Sequence, residues 1–230
     1  MIKKSLHIIH RSIYLFTAFF SRSGIDKFLR EQIYEINSSP DNYKNILNVG
    51  SGGFVSRSIA HINSGATVLN VDIDPKRNPD VVADICSMVD FGDECYDAVF
   101  MVEVLEHVKS PQKALQEVHR ILRKGGILIL TTPFLFEIHD RPYDYYRFTK
   151  YGLELLLEDY ASVQIQARNR YLDAIIVLIM RLFVSHHIQD KAIAILLMLA
   201  VITLYPLIWV INRIIISDAA TTGYLTKCIK

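Results

Sequence analysis

Cysteine is scarce in this 230-residue chain: Cys86, Cys95 and Cys228 lie far apart, and none forms a Cys-x-x-Cys pair. An odd, scattered set supplies neither a disulfide framework nor a thiolate zinc site, and a reducing compartment is the simplest setting. Metal-ligand spacing among His, Cys, Asp and Glu is also lacking along the chain, so no metal is expected. Nor is there an excess of charge of one sign. Lys and Arg number 25 against 24 Asp and Glu, a net charge of +1. A nucleic-acid binder would show clustered basic residues, so nucleic acid is excluded as a partner. No internal repeat or low-complexity tract appears.

What the chain has in excess is apolar residues, at 51% of the composition with a mean hydropathy of +0.23. The excess sits near the two ends. Residues 1–24 set Lys3, Lys4 and Arg11 among Ile8, Ile9, Ile13, Leu15, Phe16, Phe19 and Phe20, with no acidic residue before Asp26. This is the pattern of a basic interfacial helix. The alternative is a helix packed on the domain. Arg11 and two histidines interrupt the run, which speaks against a secretory signal.

The second apolar segment covers 172–216, with no charged residue between Lys191 and Arg213. That is long enough to cross a hydrocarbon core. Yet Gly223–Ile229 reads as a further strand, and a strand of a soluble sheet has to return to the same side. The insert is therefore expected to leave and come back, either as a hairpin with Leu172–Val184 or as a shallow element kinked at Pro206. Leu172–Val184 is too short to span and contains Arg181, which favours the shallow, monotopic form on the cytoplasmic side. A homodimer interface is the alternative use of the same surface.

From Asn45 onward short β-branched runs alternate with helical stretches, the mark of a mostly parallel sheet. The expected strands are Ile46–Val49, Thr67–Val71, Val81–Ala83, Ala98–Val102, Ile127–Thr131 and Ser162–Ala167. Ser110-Pro111 opens a helix with Ala114, Leu115, Val118, Ile121 and Leu122 on one stripe, and Gly125-Gly126 is expected to end it. Thr149 is a plausible N-cap for a later helix. The organisation expected is a 25–171 core, the 172–216 insert and a 217–230 terminal strand.

Three of the ten glycines fall in Gly50-Ser51-Gly52-Gly53, directly after the strand Ile46–Val49. Glycine there lets the backbone approach a ligand closely. The next strand ends in Asp72, roughly twenty residues on, where a carboxylate can accept from a ribose diol. Both features point to one nucleoside.

Tyr96-Asp97-Ala98-Val99, then Glu103-Val104-Leu105-Glu106-His107-Val108, then Leu122-Arg123-Lys124-Gly125-Gly126 together resemble the signatures of class I S-adenosylmethionine-dependent methyltransferases (type 11, UbiE-like). The likeness covers about Asn45 to Pro133. It implies an α/β fold, a Rossmann-like seven-stranded sheet with its last strand antiparallel, here with the apolar helical insert before that strand. It also implies S-adenosyl-L-methionine as cofactor. Gly50, Ser51 and Gly52 would lie against the methionine part, Asp72 on the ribose hydroxyls and Ile73 along the adenine. Asp84 would accept from the adenine amino group with Ile85 beside it, while Val102 and Glu103 would sit near the sulfonium. Asn48 stands where the family usually has an acidic residue and Phe54 where a third glycine is common. Asn48 would still bond the cofactor's amino-acid end, without a charge-assisted contact.

A narrower resemblance runs through Thr132-Pro133-Phe134 and Ile138-His139-Asp140-Arg141-Pro142-Tyr143-Asp144-Tyr145-Tyr146-Arg147-Phe148-Thr149. It is similar to a subgroup linked to bacterial surface-polysaccharide biosynthesis. It implies O-methylation of a lipid-linked or membrane-proximal glycan. The rival readings are methylation of a quinone or other isoprenoid lipid, and an inactive cofactor-binding scaffold. His139 is the candidate general base, with Asp144 beside it, since a near-neutral histidine suits that work. The plainer reading is a hydrogen-bonded loop that shapes the pocket. His107 is expected to be structural, and Tyr143, Tyr145, Tyr146 and Phe148 either stack on an acceptor or cover the sheet edge.

Overall fold

The computed structural model describes residues 21–62, 65–184 and 187–230. Residues 1–20, which hold most of the basic N-terminal segment, lie outside the described residues. Helix α1 covers residues 21–38, followed by β1 (Asn45–Val49), α2 (Gly53–Ile59), β2 (Thr67–Asp72), β3 (Val81–Val82), β4 (Tyr96–Val102), α3 (Pro111–Ile121) and β5 (Leu122–Pro133). Then come α4 (Lys150–Leu156), β6 (Ser162–Ala167), α5 (Tyr171–Arg181), α6 (Ile188–Ile214) and β7 (Gly223–Ile229).

The seven strands form one sheet in the order β3-β2-β1-β4-β5-β7-β6. β1 pairs in parallel with β2 and β4, and β4 with β5. The last strand runs the other way: the start of β5 meets the end of β7 through Gly125 N–H to Lys230 O and Lys230 N–H to Gly126 O. The expected antiparallel terminal strand is thus present.

Parallel strands buried on both faces need apolar residues at every position, and side-chain alternation sorts them. Leu47, Val49, Val99, Met101, Leu128 and Leu130 face Ala114, Leu115, Val118 and Ile121 of α3 and Leu153 of α4. Their neighbours Ile46, Ala98, Phe100, Val102, Ile127 and Ile129 pack with Ile25, Phe28, Leu29, Ile33 and Ile36 of α1 and with Val55 and Ile59 of α2. The result is three layers with the sheet in the middle.

The largest shift from the expected boundaries lies between α3 and β5. The α3 helix stops at Ile121, and Leu122-Arg123-Lys124-Gly125-Gly126 already belongs to β5. Leu122 pairs with Tyr96, and the register slips before Ala98 meets Ile127. Gly125, at φ +75°, takes up that irregularity, a backbone angle that glycine adopts without steric cost. Below this bulge Asp97 acts as a pin. Its Oδ2 accepts from the backbone N–H of Lys44 at 2.6 Å and of Asn45 at 2.8 Å, and its Oδ1 meets Arg123 Nε at 2.9 Å.

The chain divides into two compact units. One comprises Ile25–Phe134, Ile138–Gln166 and Tyr224–Lys230, and carries the sheet, the glycine turn and the His139 loop. The other comprises Leu135–Glu137 and Ala167–Gly223 with residues up to Gly24. In this second unit α5, a short turn at Leu182–Val184 and α6 form a hairpin, and α6 continues through Pro206. A helical hairpin is the less favoured of the two forms expected from sequence, and α6 runs as one helix through Pro206.

Candidate active site

The turn after β1 is built around Asp72 at the end of β2. Its Oδ2 accepts from Ser51 N–H and its Oδ1 from Asp74 N–H, each at 2.9 Å, with Arg77 Nε at 3.9 Å. The carboxylate is therefore fixed, and each oxygen keeps lone-pair capacity toward a diol. Gly50 sits at φ +85° and donates to Val71 O at 2.8 Å. A Cβ there would come within 2.6 Å of Val104 Cγ2, and one at Gly52 within 2.5 Å of the Arg77 guanidinium. Glycine is required at position 50 by its left-handed angle, whereas at position 52 an added Cβ would meet only the end of the half-exposed Arg77 side chain, which can move aside.

Asn48 is wholly buried, and its Nδ2 donates to Asn70 Oδ1 at 2.9 Å. Its own Oδ1 has no hydrogen-bond partner. A buried acceptor in that condition calls for a donor, and an ammonium group supplies one. Ile73 is 68% exposed just past β2, free to lie along a flat ring. Asp84 accepts from Cys86 N–H at 2.9 Å. The Ile85 side chain is buried in the core cluster with Met88 and Val71, which leaves its backbone toward the site beside Asp84. Val102 is likewise packed in the opposite core layer.

Glu103 closes β4 with φ +53°, a left-handed conformation unusual for a side-chain-bearing residue. Thr131 on β5 holds it: Glu103 N–H donates to Thr131 O at 3.1 Å, and Thr131 Oγ1 donates to Glu103 Oε1 at 2.8 Å. Such strain persists only where neighbours over-determine the geometry, and it clusters at functional sites.

Beyond this point the chain forms the turn Leu105–His107, in which Leu105 and Glu106 are buried. The loop after β5 is sewn to it, since Tyr145 and Tyr146 N–H both donate to the Glu106 carbonyl, at 2.9 and 3.2 Å. His139 N–H donates to Asp144 Oδ2 at 2.9 Å, and His139 Nδ1 lies 3.3 Å from the same oxygen. Arg147 grips Asp144 with two nitrogens at 2.5 and 2.7 Å. Burial pushes the Asp144 carboxyl up, but the bonds from Arg147 and from His139 N–H outweigh it and hold it down to about 2. Asp144 is thus an anion throughout the useful pH range.

The far nitrogen of His139, Nε2, is 3.8 Å from Glu106 Oε1, and His107 Nε2 is 3.7 Å from the same oxygen. His107 Nδ1 lies 2.9 Å from the Tyr143 carbonyl. A carbonyl only accepts, so His107 Nδ1 carries the proton and Nε2 of the neutral ring keeps its lone pair. The two rings meet edge to face at 4.9 Å. Glu106, His107 and His139 bring ligand atoms within 4.8 Å of one another, a set that could converge on one proton or one cation. Spacing along the chain hides this grouping. The aromatic run divides: Phe148 is core and stacks on Tyr146 at 5.7 Å, while Tyr143 and Tyr145 are exposed.

Glu106, Arg147, Thr131 and Arg77 were not singled out from sequence. The first two had a signal, in the Glu106-His107 pair and the Asp144-x-x-Arg147 spacing. Thr131 and Arg77 had none, because each acts across elements remote in the chain.

Residues 47–130 match the model of a family described as a methyltransferase domain. Among solved structures, a SAM dependent methyltransferase from Archaeoglobus fulgidus superposes with a TM-score of 0.58 at 16% identity, covering 94% of this chain and 99% of that one. The fold is that of a class I methyltransferase. Phosphoethanolamine N-methyltransferase 2 of Haemonchus contortus, in complex with S-adenosyl-L-methionine, shares it with a TM-score of 0.52 at 14% identity, over 82% of this chain and 49% of that one. The mitochondrial ubiquinone biosynthesis O-methyltransferase of Mus musculus is 29% identical over 128 residues, covering 46% of this chain and 34% of that protein. The chain spans about a third of the length of the curated relatives it matches. The glycine turn, Asp72 and the Glu103–His107 run all fall inside the matched methyltransferase segment.

Proposed function

We propose that the protein transfers a methyl group from S-adenosyl-L-methionine to an acceptor hydroxyl, with His139 as general base oriented by Asp144. The His139–Asp144–Arg147 chain carries this reading: an ionised carboxylate behind Nδ1 leaves Nε2 to accept a proton.

The chain's own residues fit the cofactor. Gly50 and Gly52 open the turn for close approach, Asp72 would accept from the ribose hydroxyls, and the partnerless Asn48 Oδ1 would accept from the ammonium of the methionine end. Ile73 would border the adenine and Asp84 would accept from its amino group. The cofactor supplies an activated methyl on a sulfonium. His139 Nε2 would take the proton of the acceptor hydroxyl, leaving that oxygen's lone pair for the methyl that the bound cofactor would supply. Glu103, locked by Thr131, and the buried Glu106 would line the end of the site where the methyl is transferred. Much of the rate comes from holding the three atoms in line.

The acceptor we favour is a lipid-linked or membrane-proximal glycan on the cytoplasmic side of a membrane, with the enzyme peripheral or monotopic. The resemblance of the 138–149 loop to the surface-polysaccharide subgroup and the exposed Tyr143 and Tyr145 beside His107 support it. The similarity to ubiquinone biosynthesis O-methyltransferases favours a second reading, an isoprenoid quinone. Calorimetric titration with S-adenosyl-L-methionine tests the first step, with micromolar binding expected. No binding to folded protein would leave an inactive scaffold. Product masses then separate a methylated glycan from a methylated quinone.

A further inference from the structure

We propose that the α5–α6 hairpin is a monotopic bilayer anchor, in which α6 is embedded in one leaflet with its axis along the membrane plane. This goes beyond methyl transfer and stands apart from it.

α6 is the described helix long and apolar enough to cross a membrane, and only 11% of its most apolar stretch is buried. Leu196, Leu199, Ile202, Leu204 and Leu207 are exposed on it. Charge is confined to its ends, at Asp190 and Lys191 and at Arg213, which lies over the Trp209 ring at 3.8 Å. An aromatic and a cation at the end of an apolar stretch suit the zone where acyl chains meet headgroups.

Composition alone would let α6 stand upright, but the hairpin's ties forbid it. At one end of α5, Arg170 donates to Asn212 O and Leu172 N–H to Asn212 Oδ1, each at 3.1 Å. Just before, Asn169 binds Thr221 and Thr222. At the other end, Arg181 pairs with Glu137 and sits over Phe136. Leu135, two residues earlier, donates to Thr221 O. Both ends of α5 are therefore fastened to the same base, residues 135–137 and 221–222, so α5 lies flat along it. α6 begins a few residues after that second fastening and returns to the first at Asn212. It is held antiparallel to α5, hence flat as well. Tyr171–Val184 would in any case reach only about 21 Å at 1.5 Å per residue, short of a core of about 30 Å. The chain enters and leaves on one side.

Trp209 is the only tryptophan in the chain and serves as the probe. The full-length protein is mixed with phosphatidylcholine–phosphatidylglycerol vesicles brominated near either the headgroup end or the methyl end of the acyl chains. A second protein carries Ile202→Trp with Trp209→Phe. The expected result is a blue shift and loss of roughly half the emission with headgroup-end bromine for both tryptophans, at equal depth. Deep quenching at position 202 with shallow quenching at 209 would mean an upright helix and overturn the proposal. Unquenched tryptophans in a protein that stays a soluble dimer would overturn it too, assigning the face to a second copy. Leu199→Lys should release the protein from vesicles while its titration with S-adenosyl-L-methionine is unchanged. Loss of cofactor binding with vesicle binding intact would sink the methyltransferase reading and leave the anchor standing.

Discussion

Asp144 and His139 are joined twice, by a backbone N–H bond of 2.9 Å and by Nδ1 at 3.3 Å from the same oxygen. The first bond places the ring and the second orients it. Replacing Asp144 with Asn should therefore lower turnover by about 10²-fold while cofactor affinity stays within a factor of about two. His139→Ala should cost about as much, and the double variant little more, because residues acting as a unit are not additive. Unaltered turnover in either single variant would remove the proton-transfer role.

Chelation separates the two occupants that the Glu106–His107–His139 group could take. With His139 as base, methyl transfer should persist after treatment with a strong chelator. Loss of activity, restored by a divalent cation, would reassign the group to a metal.

Gly50→Ala forces a side chain onto φ +85° and against Val104 Cγ2. The left-handed angle alone costs about 1–2 kcal/mol, and the displaced turn should weaken cofactor binding by more than about tenfold. Calorimetry and thermal melting read the two effects separately.

Asp72→Ala should weaken S-adenosyl-L-methionine binding by at least about tenfold, since it would remove the proposed ribose acceptor and free Ser51 N–H and Asp74 N–H together. Unchanged affinity in a folded variant would mean that the ribose lies elsewhere.

The Glu117 carboxyl on α3 is lowered, chiefly by its bond from Arg120 and with help from Met88 N–H, against a smaller opposing effect of burial. A depressed folded value contributes stability above the unfolded value of 4.5 and loses it as pH falls through the folded one. Glu117→Gln should thus destabilise by about 1 kcal/mol at neutral pH, and the gap should narrow as pH falls below 4.5 toward the depressed folded value. Urea melts at both pH values check this.

The order of strands and helices, the glycine turn and the Asp72 carboxylate were legible in the sequence because their signals are local. Alternation such as Ile46-Leu47-Asn48-Val49 fixes which side chains meet which layer, and glycine at 50 and 52 announces a close approach. The α3 boundary was misplaced because Leu122–Gly126 is locally ambiguous, and only pairing with Tyr96 and Lys230 makes it a strand. Tertiary structure alone decided that Ile85 turns into the core, that Thr131 locks Glu103, and that His139 meets Glu106 and His107. It also decided that α6 returns to the start of α5 through Asn212 and that the end of α5 is held by Glu137. Periodicity and turn chemistry act over a few residues; contacts between remote loops form only after the sheet has brought their strand ends together.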